Sequence, residues 1–161
     1  MIAVMGKSMD YKKIRLENTT IGIVASRFND HIVDKLLNAC METLVQAGIK
    51  KEDIIVCRVP GAFEIPVAVQ RLIKSSQPDA VISLGAVIRG YTPHFDYICN
   101  ECASGLTRVS LDCDTPVIFG VLTVDNEIQA MERAGEGENN KGTAAALAAM
   151  EMIDSLRKIE S

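Results

Sequence analysis

Short apolar runs and longer helix-period stretches alternate four times along this chain, and that alternation limits the fold more than any other feature of the sequence. The apolar runs occupy 20–25, 53–59, 79–88 and 117–122. Runs this short with apolar side chains on both faces suit strands of a parallel sheet covered on both sides by helices. Helical stretches follow at about 30–47, 63–75, 96–112, 126–133 and 141–159. In the first, Ile32, Val33, Leu36, Leu37, Cys40, Leu44 and Val45 share a face, and Gly48 stands where a helix stops. In the last, an alanine-rich stretch, Leu147, Met150, Ile153 and Leu156 lie along one side. Pro66 falls inside the second, which is tolerable only in a first turn. The expected fold is a three-layer, doubly wound α/β domain on a four-stranded parallel sheet, spanning 20–161. A polar arm, 1–19, precedes it and could add a strand to a neighbour.

Composition agrees with that plan. The chain is 48% hydrophobic but only 4% aromatic, with no Trp, so its core must be built from Val, Ile, Leu and Ala. Net charge is −4 and no Lys/Arg block stands out, which argues against nucleic acid as a partner. The first fifteen residues are too polar for a secretory leader, and no apolar run approaches the roughly 20 residues that span a membrane. Five cysteines, an odd number, fit reduced thiols in the cytoplasm. Cys99-Asn100-Glu101-Cys102 has C-x-x-C spacing, but no second ligand pair accompanies it, so the expectation is two helical cysteines and no metal.

Polar groups gather where the predicted strands end. The run 80–88 gives way to Arg89-Gly90-Tyr91-Thr92-Pro93-His94-Phe95, which offers small residues, an arginine for an anion and one of the chain's two histidines. Ligands of open parallel sheets bind outside such carboxyl ends. Phe28, in the turn Ser26-Arg27-Phe28-Asn29, either covers a flat ligand or caps the helix behind it. Glu64 either complements a helix dipole or accepts hydrogen bonds from a heterocycle or sugar chain. His31 lies in a first helical turn facing solvent. Arg133 suits a helix C-terminus, but Lys141 opens a helix, where a positive charge is unfavourable unless an anion lies nearby.

An ordered set of motifs then carries a resemblance. They are Ser26-Arg27-Phe28-Asn29, Val59-Pro60-Gly61-Ala62-Phe63-Glu64-Ile65-Pro66, Gly85 to Tyr97, Phe119-Gly120-Val121-Leu122-Thr123, Ala130-Met131-Glu132-Arg133-Ala134-Gly135 and Asn139-Asn140-Lys141-Gly142. From about residue 21 to 156 the chain resembles the lumazine synthase family, with a flavodoxin-like fold. The resemblance implies condensation of 5-amino-6-(D-ribitylamino)uracil with 3,4-dihydroxy-2-butanone 4-phosphate, without metal or cofactor. It implies that Phe28 stacks on the pyrimidine, that Ala62, Phe63 and Glu64 line the ribityl site, and that Val87 and Ile88 face the ring. Gly90, Tyr91, Thr92 and Arg133 would hold the phosphate, His94 would move protons, and Phe119 and Lys141 would complete the pocket. Phe119, Arg133 and Lys141 would come from a neighbouring subunit of a homopentamer, to whose sheet the arm adds a strand. Some members pack twelve pentamers into a sixty-subunit icosahedral shell, which the compact stretch 133–142 favours; whether riboflavin synthase is enclosed stays open. In much of the family an acidic residue follows the lysine by three positions; here it is Ala144, which weakens the restraint on Lys141. The alternatives are an archaeal-type riboflavin synthase and a non-catalytic flavin or lumazine container.

Overall fold

Strands β1 (Ile21–Ser26), β2 (Ile54–Val59), β3 (Ala80–Ile88) and β4 (Val117–Val124) form one parallel sheet in the order β2-β1-β3-β4. This is a computed structural model, and it describes residues 14–137 and 139–161. Residues 1–13, most of the expected arm, lie outside the described residues. Helices α1 (Asp30–Gln46), α4 (Glu127–Ala134) and α5 (Lys141–Glu160) cover one face of the sheet. Helices α2 (Ile65–Ser76) and α3 (His94–Asp112) cover the other. The alternation of β1 assigns the layers: Ile21, Ile23 and Ala25 enter the first core, and Val24 enters the second. The expected three-layer doubly wound architecture is what the chain adopts.

Local chemistry explains the boundaries. Pro66 falls in the first turn of α2, where its missing N–H is harmless. Helix α3 begins at His94, two residues before the expected start, because Pro93 has the φ of −64° that a helix start requires. His94 is therefore a helix-terminal residue and not a loop residue. Strand β4 runs on to Val124, two residues beyond the expected end. The buried stripe of α5 is Ala145, Ala146, Ala149, Met150 and Ile153, with Leu147 and Leu156 only half-buried. Small residues are required because α5 crosses α1 closely: a Cβ on Gly142 would lie 2.0 Å from the Leu36 carbonyl oxygen.

The segment before β1 is tied to its own domain. Ile14 and Leu16 pack against the first core, and Arg157 of α5 donates to the Arg15 carbonyl at 2.9 Å and to Asp79 at 3.1 Å. All five cysteines are free; Cys99 and Cys102 lie within α3. Among the described residues no helix is long and apolar enough to cross a membrane.

Candidate active site

The carboxyl ends of the strands lie along one side of the sheet, with Ser26 opposite Val59 and Ile88 opposite Val124. The chain winds outward from β1 in both directions, so a crevice opens beside β1 at this side. The β1–α1 turn is stitched to both neighbouring strands. The Arg27 N–H donates to the Val59 carbonyl at 2.7 Å and the Phe28 N–H to the Pro60 carbonyl at 3.0 Å. Asn29 adopts the left-handed conformation, φ 59°, which asparagine tolerates better than most residues. Its side-chain amide donates to the Ala86 carbonyl on β3 at 2.8 Å. The turn is thereby fixed while the Phe28 ring stays 71% exposed, so it does not act as a buried cap on α1.

Beyond β2, residues Ala62–Glu64 form a single 3-10 turn leading into α2. Ala62 is buried, so it can offer a ligand only its backbone; Phe63 is exposed and Glu64 half-buried. The Glu64 side chain does not cap α2. One of its carboxylate oxygens lies 3.1 Å from where a Cβ on Gly61 would sit, so the glycine leaves room for it. The carboxylate is thus available as an acceptor for hydroxyl or ring N–H groups.

Beyond β3, Val87 and Ile88 are half-buried, and Gly90, Tyr91, Thr92 and His94 are exposed. The His94 N–H points at the Thr92 hydroxyl, 3.4 Å away. Arg89 is committed elsewhere. Its guanidinium bonds Asp125 at 3.2 Å and Asp96 at 3.3 Å and lies 4.2 Å above the Phe95 ring. The hydrogen bond it donates to Asp125 is the main reason its pKa is pushed up, with Asp96 adding to the effect. Arg89, expected as an arginine for an anion, is paired with two carboxylates and braces the loop that leads to His94 at the start of α3.

The remaining residues form a second group. Strand β4 is an edge of the sheet, and a groove of about 330 Å³ runs along it, lined by Phe119, Arg133, Lys141 and Ala144 among others. Phe28, Glu64 and His94 are not on this groove. Phe119 is 47% exposed. Arg133 donates to the Gln129 carbonyl at 3.0 Å, which steadies the guanidinium at the last turn of α4. Ala144 lines the same groove as Lys141, so they do share a side of α5, with no carboxylate at that position. Among the described residues no three His, Cys, Asp or Glu side chains converge as metal ligands would.

Two asparagines were not singled out as site residues from the sequence. Asn29 holds the Phe28 turn, and Asn140 caps α5 beneath Lys141 by accepting from the Gly142 and Thr143 N–H groups. Asparagine in a turn or just before a helix is the available signal for both. Thus one chain carries an aromatic, a carboxylate, an imidazole and a glycine-bearing loop at the strand ends, and two cations beside an exposed ring at the β4 edge. A family model described as 6,7-dimethyl-8-ribityllumazine synthase matches residues 18–157. The match covers the whole sheet, both groups of residues and most of α5, and the chain therefore belongs to the 6,7-dimethyl-8-ribityllumazine synthase family, transferase-type enzymes of riboflavin biosynthesis.

Proposed function

We propose that the chain condenses 5-amino-6-(D-ribitylamino)uracil with 3,4-dihydroxy-2-butanone 4-phosphate to 6,7-dimethyl-8-ribityllumazine, releasing phosphate and water, at sites shared between adjacent subunits of a homopentamer. The observation that carries this reading is the division of the site residues. Phe28, Glu64 and His94 lie at the strand ends, whereas Arg133, Lys141 and Phe119 line a separate groove on an open sheet edge. A second copy presenting its β4 edge to the crevice of the first would bring the two groups together. The mixed character of the groove suits this, with apolar Ile118, Val121 and Ala148 beside the two cations.

In that composite site each residue has a physical task. Phe28 stacks on the pyrimidine, and Glu64 accepts from ribityl hydroxyls, with Ala62 and Phe63 flanking the chain. Val87 and Ile88 contribute backbone groups and apolar surface against the ring. Backbone N–H groups of Gly90, Tyr91 and Thr92 face the phosphate from one side and Arg133 from the other, while Phe119 and Lys141 complete the pocket, Lys141 bringing a second positive charge. The ring amine attacks the ketone, and loss of one water gives an imine. Phosphate leaves by elimination, and attack of the ribitylamino nitrogen with loss of a second water closes the ring. His94 takes and returns the protons these steps exchange, a task suited to imidazole near neutral pH. Holding two reactants in register supplies much of the rate.

The direct test is to mix purified protein with the two substrates and follow lumazine absorbance. Formation of the product only when both are present is expected; no product at any protein concentration would reject the reaction. The compact stretch 133–142 supports assembly of pentamers into a closed shell in the cytoplasm, which sedimentation of the intact protein distinguishes from free pentamers.

A further inference from the structure

The two cations of the β4 groove come from different helices. Arg133 lies in the last turn of α4 and Lys141 is the first residue of α5, with irregular chain between them. We infer that Asn140 is a positioning residue whose side-chain amide sets the spacing of Arg133 and Lys141 so that both reach one phosphate group. The inference rests on the phosphate-binding part of the function proposed above.

The Asn140 side chain is buried, and both ends of its amide are used. Its NH2 group donates to the carbonyls of Ala134 and Gly135, each at 2.9 Å. Its oxygen accepts from the N–H of Gly142 at 2.7 Å and of Thr143 at 3.4 Å. These are the carbonyls that α4 leaves unpaired at its end and the N–H groups that α5 leaves unpaired at its start. One planar group thus bolts the end of one helix to the beginning of the next. Capping α5 needs only the acceptor, which Ser, Thr or Asp supplies equally well. The two donors have no part in capping α5; they act on the end of α4, just after Arg133. Each helix also has an anchor of its own, at the near end of α5 and at the far end of α4. Gly142 presses against the Leu36 carbonyl of α1, and Asn126 caps the start of α4 by accepting from the Gln129 N–H at 2.9 Å. The amide is therefore the direct tie between the two cation-bearing ends.

The spacing matters because a phosphate accepts from two cations only if both reach it without strain. Slackening the tie should weaken the hold on phosphate and leave the ring site untouched. The test compares Asn140→Asp and Asn140→Ser with the parent chain. Both keep an oxygen for the Gly142 and Thr143 N–H groups and lose the paired donors; Asp adds a negative charge and Ser does not. Three quantities are measured on the assembled protein: KM for each substrate, and the Kd of inorganic phosphate by calorimetry. For both variants KM for the phosphorylated ketone and Kd for phosphate should rise about tenfold, and KM for the ribitylated diamine should stay within about twofold. Equal rises in both KM values, or an unchanged phosphate Kd in either variant, overturn the inference. A second variant leaves Asn140 in place and inserts one glycine after Gly137. Phosphate Kd should then stay within about twofold, because the amide and not the loop length sets the spacing. Lost phosphate binding in that insertion variant overturns the inference even if the Asn140 variants fail to fold. A parent chain that binds phosphate but forms no lumazine removes the proposed reaction while the phosphate comparison still decides the role of Asn140. A parent chain that binds no phosphate removes the role itself.

Discussion

At the scale of single residues, His94 and Arg133 should fail in different ways. His94 is exposed at the start of α3, with the Thr92 hydroxyl near its N–H as its close polar contact, so its loss should leave the fold intact. His94→Ala is expected to lower kcat by about 10²–10³ with circular dichroism unchanged. Wild-type turnover at saturating substrate would take proton transfer away from this imidazole. Arg133→Ala should raise KM for the phosphorylated ketone about tenfold or more and barely change that for the diamine. Cys40 offers a contrast, since burial pushes its thiol up to about 12. A thiol reagent at pH 8 should modify Cys40 only on unfolding, which denaturant-dependent labelling by mass spectrometry can follow. The residue types of the site were legible because they interrupt apolar runs at strand ends. Their engagement was not. Arg89 pairs with Asp125, 36 positions away, and Asn29 bonds Ala86, 57 positions away, and such contacts depend on the sheet order.

At the scale of elements, the strands were easy to read because burial on both faces leaves an uninterrupted apolar run. Helix limits were harder. Pro93 reads as loop chemistry, yet its fixed φ lets α3 start at the next residue and carries His94 with it. In α5 the larger apolar side chains carry the visible periodicity, whereas alanines make much of the buried stripe. Close approach selects small residues, and hydrophobicity alone does not reveal how near another helix will come. Gly142 marks the tightest point of that crossing. Gly142→Ala should destabilise the protein by about 1–3 kcal/mol, because an added methyl meets backbone and not a movable side chain. A thermal midpoint equal to that of the parent chain would show that α1 and α5 can separate freely. Since Lys141 is the neighbouring residue, the same substitution should also weaken phosphate binding.

At the scale of the whole molecule, a site divided between copies makes a prediction that a self-contained site does not. In the proposed site, His94→Ala would spoil the strand-end half and Arg133→Ala the edge half. Unfolded together in equal amounts and reassembled, the two inactive variants should regain about one quarter of parental turnover, the share of sites that draw an intact half from each side. No recovery would mean that both halves act within one chain. The division was not legible in composition or periodicity, because which strand lies at the edge follows from topology, and β4 is last both in the chain and in the sheet. An unpaired strand edge is usually a hazard, open to contact with any exposed strand. In the proposed assembly it has a kinetic meaning. Catalytic output should climb faster than linearly with the number of copies when the protein is scarce, and in simple proportion once every β4 has been covered.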